Sequence, residues 1–206
     1  MHERFLAVNA VRDAVIEGNL GAAKDRAKQL AKDEKLRDPD AVFADWGPHT
    51  ETMRKEIQKA SEAADLGAVA MHTSEAARAC GRCHNSLGVA TLGEKTGTPP
   101  AETENIGGVM RRHQWAVSRM WDGLIAPSDD SWAAGSKAMT EATSHALQQP
   151  QVKSDEQLTV LMREADELAK AAATAVTWPE RTTTFGQLLS TCSSCHQKMQ
   201  AGASGQ

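Results

Sequence analysis

The sequence contains no tyrosine and only three phenylalanines in 206 residues. Apolar residues make up 40% of it, less than a globular chain usually carries, and many of them are alanine. Such a chain cannot fill its interior with aromatic rings. Either alanine-rich helices pack closely, or a flat buried cofactor supplies the missing bulk. Runs of β-branched and aromatic residues are absent too, which argues against strands. No apolar run is long enough to span a membrane as a helix. Lysine and arginine form no block or stripe, and the net charge is −4, so nucleic acid is not an expected partner. The opening stretch MHERFLAVNAVRD carries Glu3, Arg4, Arg12 and Asp13. It is therefore not the apolar core of a signal peptide, and an exported protein would have lost its signal before this numbering starts.

What the chain does have is helical periodicity. Val8, Val11 and Val15 form one stripe; Leu20, Ala23, Ala27, Leu30 and Ala31 a second; Met53, Ile57, Ala60 and Ala64 a third. A fourth helix is expected around 74–90. The stretch 36–49 reads as the longest internal loop, and the Gly/Thr/Pro-rich segment 93–105 as a boundary. The plan then recurs. Met110, His113, Val117, Met120 and Leu124 share one face; Trp132, Met139, Ala142 and Ala146 another. Leu158, Leu161, Met162, Ala165, Leu168, Ala169 and Ala172 make the fullest stripe, and a last helix is expected over about 181–201. Residues 1–16 align with 110–125 at a shift of 109, pairing Arg4 with His113 and Ile16 with Ile125. This is an internal repeat. Its expected form is all-α: two tandem up-down-up-down four-helix bundles, at 1–95 and 105–206, joined by a linker at 96–104.

The chain's only four cysteines sit in two Cys-x-x-Cys-His motifs, CGRCH at 80–84 and CSSCH at 192–196, at a shift of 112. The three extra residues of that shift are expected between the first two helices, at PSDD (127–130). On a helix, Cys80, Cys83 and His84 share one face, as do Cys192, Cys195 and His196. Two thiols so placed can bond to the vinyl-derived carbons of a porphyrin while the adjacent imidazole reaches the iron. A thioredoxin-type redox pair, a Cys₄ zinc site and a plain disulfide are the competing readings. The first needs a preceding strand, the second has no use for the histidines, and the third fits poorly within a helix.

A CxxCH motif near the end of a four-helix bundle resembles the class II c-type cytochromes, the cytochrome c prime group, and each half of the chain is similar to one such bundle. The resemblance implies two covalently bound haem c groups. It also implies proximal iron ligands His84 and His196, thioether links at Cys80, Cys83, Cys192 and Cys195, and maturation in a bacterial periplasm.

The opposite face of each iron decides between functions. In an up-down-up-down bundle the distal group comes from the start of the first helix or from the loop between the second and third. His113 is the candidate for haem two, with Met120 and then His145 as alternatives. For haem one, His2 and His49 are the candidates, or the iron is five-coordinate; His72 falls at the far end. Arg4, Arg111 and Arg112 are candidates for pairing with haem propionates, and the five tryptophans for packing seams. Since Arg4 stands where His113 stands, the two haems are expected to differ in potential. The expected function is electron transport between other redox proteins by a dihaem cytochrome that is not an enzyme. The alternative is a protein that binds or senses small gaseous ligands at an open haem. Peroxidase chemistry at such a site ranks third.

Overall fold

A computed structural model describes residues 2–33, 46–88, 97–101 and 105–203. Among them the chain is all-α. The helices are α1 (His2–Ile16), α2 (Leu20–Ala31), α3 (Gly47–Glu62), α4 (Leu66–Ser86), α5 (Ile106–Ile125), α6 (Asp129–Ala146), α7 (Pro150–Lys153), α8 (Glu156–Thr174) and α9 (Trp178–Ala203). No helix among the described residues is long and apolar enough to cross a membrane.

Short polar side chains start these helices by taking up backbone N–H groups that have no helical partner. Asn19 caps α2, Asp65 caps α4, Asn105 caps α5, Ser128 caps α6 and Asp155 caps α8. At α9 the box is reciprocal: the Glu180 N–H donates to Thr177 Oγ1 at 3.4 Å, and the Thr177 N–H to Glu180 Oε2 at 2.9 Å.

The apolar stripes become the core. Val8, Val11, Val15, Ala23, Ala27, Ile57, Ala60, Met120, Leu124, Met139 and Ala169 are all buried. Ala64 is not: α3 ends at Glu62, and Ala63 turns inward instead. Three other boundaries differ from expectation. Helix α4 begins at Leu66 and ends at Ser86, and Gly47–His49 belong to α3 rather than to a loop; residues 36–45 lie outside the described ones. The short α7 carries no periodic signal, being a single turn set by Pro150.

The three extra residues of the second repeat are also elsewhere. Connections 17–19 and 126–128 are equally long, and the starts of α2 and α3 map to those of α6 and α8 at the shift of 109. Helix α8 has 19 residues where α3 has 16, so the addition is close to one turn of α8. That turn moves the following helix along without rotating its face far.

Consecutive helices pack on one another: α1 on α2, α2 on α3 and α3 on α4, then α5 on α6, α6 on α8 and α8 on α9. The long contact between the repeats is α4 against α9. Gly67 faces Ser190, Gly186 faces Met71 and Gly81 faces Trp178, so the two helices run antiparallel. At their centre the buried Ser74 hydroxyl donates to the Thr182 carbonyl at 2.6 Å. Nearby, Trp121 is fully buried beside Phe185, with ring centroids 5.7 Å apart. Its indole N–H donates to Asn9 Oδ1 at 2.6 Å, and the Arg12 guanidinium lies over its ring. Arg12 and Trp121 are partners in the repeat alignment, so equivalent positions of the two halves meet here.

Within the second repeat, α6 is fastened to α8 by the buried Asp166. Its carboxylate accepts from Thr143 Oγ1 at 2.8 Å, Ser144 Oγ at 2.9 Å and Lys170 Nζ at 2.5 Å. Burial pushes the Asp166 pKa up, but the Lys170, Thr143 and Ser144 bonds outweigh it and hold the pKa below the usual value. Its stabilisation is therefore complete above about pH 4 and is lost as pH falls through the lowered folded value. Asp166→Asn should cost about 1–3 kcal/mol in urea unfolding at pH 7, and the gap from wild type should close as the pH is taken from about 4 towards 2.

Candidate functional site

Both motifs are helical. Cys80, Cys83 and His84 lie in the last turns of α4, and Cys192, Cys195 and His196 in the second half of α9. Antiparallel packing sets them at opposite ends of the α4–α9 pair. They are separated by at least the span of residues 67–81, about 20 Å at 1.5 Å per residue. One zinc ion cannot be held by both pairs across that distance. The four cysteines form no disulfide.

The thiols are electrostatically unlike those of a redox pair. Burial pushes Cys80 up to about 12, with nearby Cys83 adding to the effect, and it does the same to Cys192, with Cys195 adding. A thioredoxin-type cysteine sits at a helix N-terminus with a lowered pKa. Here the helix position and the direction of the shift are both opposite. Cys83 is buried and the other three cysteines are part-buried, each pair on one helix face.

The histidines are held reciprocally. His84 Nδ1 lies 2.7 Å from the Ile125 carbonyl, at the end of α5, and His196 Nδ1 lies 2.6 Å from the Ile16 carbonyl, at the end of α1. A carbonyl only accepts, so each Nδ1 carries the proton and donates. The proton on Nδ1 leaves Nε2 as the nitrogen that can present a lone pair. Ligating histidines are usually fixed in this way, by a second hydrogen bond that sets tautomer and orientation. The partner comes from the other repeat both times, as an isologous pair of units requires.

Glycine permits the approach at each end, from opposite sides. At Gly81, within the first motif, an added Cβ would collide with the Leu124 carbonyl and the Trp178 ring. The equivalent position in the second motif is Ser193. There the space is made by Gly18 of the facing chain, which has φ +75° and lies against Gln197 and the Ser193 carbonyl.

His113, on α5, is close enough to His196 to feel its charge. Burial is the main reason its pKa is pushed down to about 4, and the neighbouring His196 adds to this; a bond to the Ala142 backbone opposes both. Its Nε2 is buried with no hydrogen-bond partner, so the Ala142 bond must use Nδ1. A neutral imidazole with an unpartnered buried nitrogen, near a second imidazole, has the chemistry of an iron ligand.

The other candidates are placed as follows. Met120 is fully buried against Gly135, in the α5–α6 seam. In the first repeat, Arg4 lies near Cys80, where its charge favours the thiolate; this matches the position of its repeat partner His113. The side chain of His2 lies outside the described residues. His49 Nε2 meets Ser86 Oγ at 3.2 Å. The Ser86 hydrogen is committed to the Cys83 carbonyl at 2.9 Å, so His49 Nε2 is the donor. Ser86 lies one turn beyond Cys83, at the edge of the face that carries Cys80, Cys83 and His84. His49, Arg78, Arg82, Asn85, Trp178 and Pro179 line a half-open cavity of about 450 Å³ beside it. His72 Nδ1 is engaged with Glu56 Oε2 at 2.8 Å. Arg112 is tied to the Pro100 carbonyl at 3.0 Å and to the Glu141 carboxylate.

Met53 belongs to the first site as well: its sulfur lies 3.8 Å from Cys80 Sγ. The repeat carried a signal for it, since Met53-Arg54 aligns with Met162-Arg163 at the shift of 109. The carbonyls of Ile16 and Ile125 had no such signal, because any residue supplies one.

Compared with protein-family models, curated proteins and solved structures, the chain matches none.

In protein made without cofactor attachment, His113→Leu should change stability by less than about 1 kcal/mol, since the orphaned nitrogen it removes costs about what the ring's packing returns. Thermal unfolding followed by circular dichroism measures this. A loss of about 3 kcal/mol would show that the ring is needed for the fold itself.

Proposed function

We propose that the chain is a dihaem c-type cytochrome, built as two fused four-helix units, that carries electrons between redox proteins in a bacterial periplasm. One observation carries this reading: each CxxCH histidine donates Nδ1–H to a fixed carbonyl, leaving Nε2 free beside two thiols on the same helix face. His84 and His196 would be the proximal ligands, and Cys80, Cys83, Cys192 and Cys195 the thioether links. The haem, when bound, supplies the one-electron chemistry; the protein supplies ligands, burial and orientation.

The two sites differ on the distal side. Site two offers the unpartnered Nε2 of His113, which favours a six-coordinate, low-spin iron suited to electron transfer. Site one offers Arg4 at the equivalent place, and a guanidinium does not ligate iron. That difference supports a second reading, in which haem one is open and takes up a small gaseous ligand such as CO or NO.

Intact mass should show two covalently attached haems; a chain without them would end both readings. Visible spectra of oxidised and reduced protein, with and without CO, separate the two. Two low-spin haems indifferent to CO support the carrier. A CO-sensitive high-spin component supports the open site. His113→Ala should turn one haem high-spin, and an unchanged spectrum would remove His113 from the coordination sphere.

A further inference from the structure

Helix α1 ends in a Schellman motif. The Gly18 N–H donates to Val15 O at 2.9 Å and the Asn19 N–H to Ala14 O at 3.0 Å, with Gly18 in the left-handed region. This satisfies the carbonyls of residues 14 and 15. The next three, at Ile16, Glu17 and Gly18, are left pointing out of the helix end. All three are taken by side chains of α9: His196 Nδ1 to Ile16 O at 2.6 Å, Gln200 Nε2 to Glu17 O at 3.0 Å, and Gln197 Nε2 to Gly18 O at 2.9 Å. Three donors on one turn of α9 thus cap the first repeat's opening helix, and one of the three is the histidine of the second motif.

The first motif carries different side chains at the positions of these two glutamines. At the shift of 112, Gln197 becomes Asn85 and Gln200 becomes Gly88, which has no side chain. Asn85 faces the cavity shared with His49 and Arg78. The end of α5, followed by Pro127, meets α4 at the His84–Ile125 bond and at the close approach of Gly81.

We propose that Gln197 and Gln200 are positioning residues for the second haem: they fix the C-terminal end of α1 so that the Ile16 carbonyl holds the His196 ring. This rests on the haem reading above. A short, fixed Nδ1–H···O bond makes the imidazole a stronger electron donor to the iron. The carbonyl also belongs to the negative end of a helix, which stabilises the more positive, oxidised metal. Both effects lower the potential of haem two.

The test is the variant Gln197→Met/Gln200→Met in the full-length, haem-loaded protein. It keeps side-chain length and removes both donors. Attached haem is counted by mass, and the two midpoints are followed by potentiometric titration. The haem whose spectrum responds to His113→Ala is taken as haem two. Its midpoint should rise, and exchange of its axial imidazole Nδ1 proton, read by NMR, should quicken about tenfold. Haem one should change in neither respect. If the double variant loses helicity, Gln200→Met alone serves, with a smaller rise at the same haem. Two attached haems with unmoved midpoints, or with both midpoints moved together, would overturn the inference while leaving the haem reading intact. A chain without attached haem would remove that reading and this inference with it.

Discussion

The antiparallel contact of α4 with α9 governs everything else in the molecule. It is close because small residues line it: Gly67, Ser74 and Gly186 allow the opposite helix to approach, and Ser74 hydrogen-bonds the Thr182 backbone across it. Buried hydroxyls without that partner would cost more than the packing returns. Once the two helices lie antiparallel, the Cys-x-x-Cys-His motifs must fall at opposite ends. Each motif then reaches the terminus of the other repeat's opening helix, where unpaired carbonyls are available. The reciprocal histidine bonds are thus a consequence of the crossing.

Burial acts on the titratable groups here in one direction, towards neutrality. It raises the thiols of Cys80 and Cys192 and lowers His113. Asp166 shows what it takes to resist: three donors around one carboxylate keep it charged inside the protein. No such ring of donors surrounds the motif thiols, and His113 has an unpartnered nitrogen. In a cofactor-binding reading these are the useful forms. A neutral imidazole has a lone pair to give, and a protonated buried thiol stays out of thiolate redox chemistry.

Much of this was legible in the chain. Helical spacing located the core stripes, and the repeated motif with its fixed histidine marked both candidate sites. The phase of His113 on its stripe put it on the side of the bundle where His196 lies. What could not be read were features with no side-chain signature. The acceptors at Ile16 and Ile125 are backbone atoms. The α4–α9 crossing depends on small residues that also occur freely on surfaces. The three added residues were misplaced because a helix lengthened by nearly a turn keeps its stripe, whereas a loop looks the natural place for an insertion.

The two sites show how a repeat can keep a frame while letting its details diverge. The frame is the part that both halves must share: helix on helix, motif near the helix end, imidazole on the partner's carbonyl. A change there would affect two places at once through the shared α4–α9 contact. The distal residue and the donors beside the motif face only one site each, so they are free to differ. Arg4 against His113, Gly81 against Ser193, and Gly88 against Gln200 are all of this second kind. Even the close approach of chain to chain is solved differently, by a glycine inside the motif at one end and by a glycine of the facing strap at the other. On the dihaem reading, such differences would let ligation and hydrogen bonding be adjusted separately at each end of one common frame.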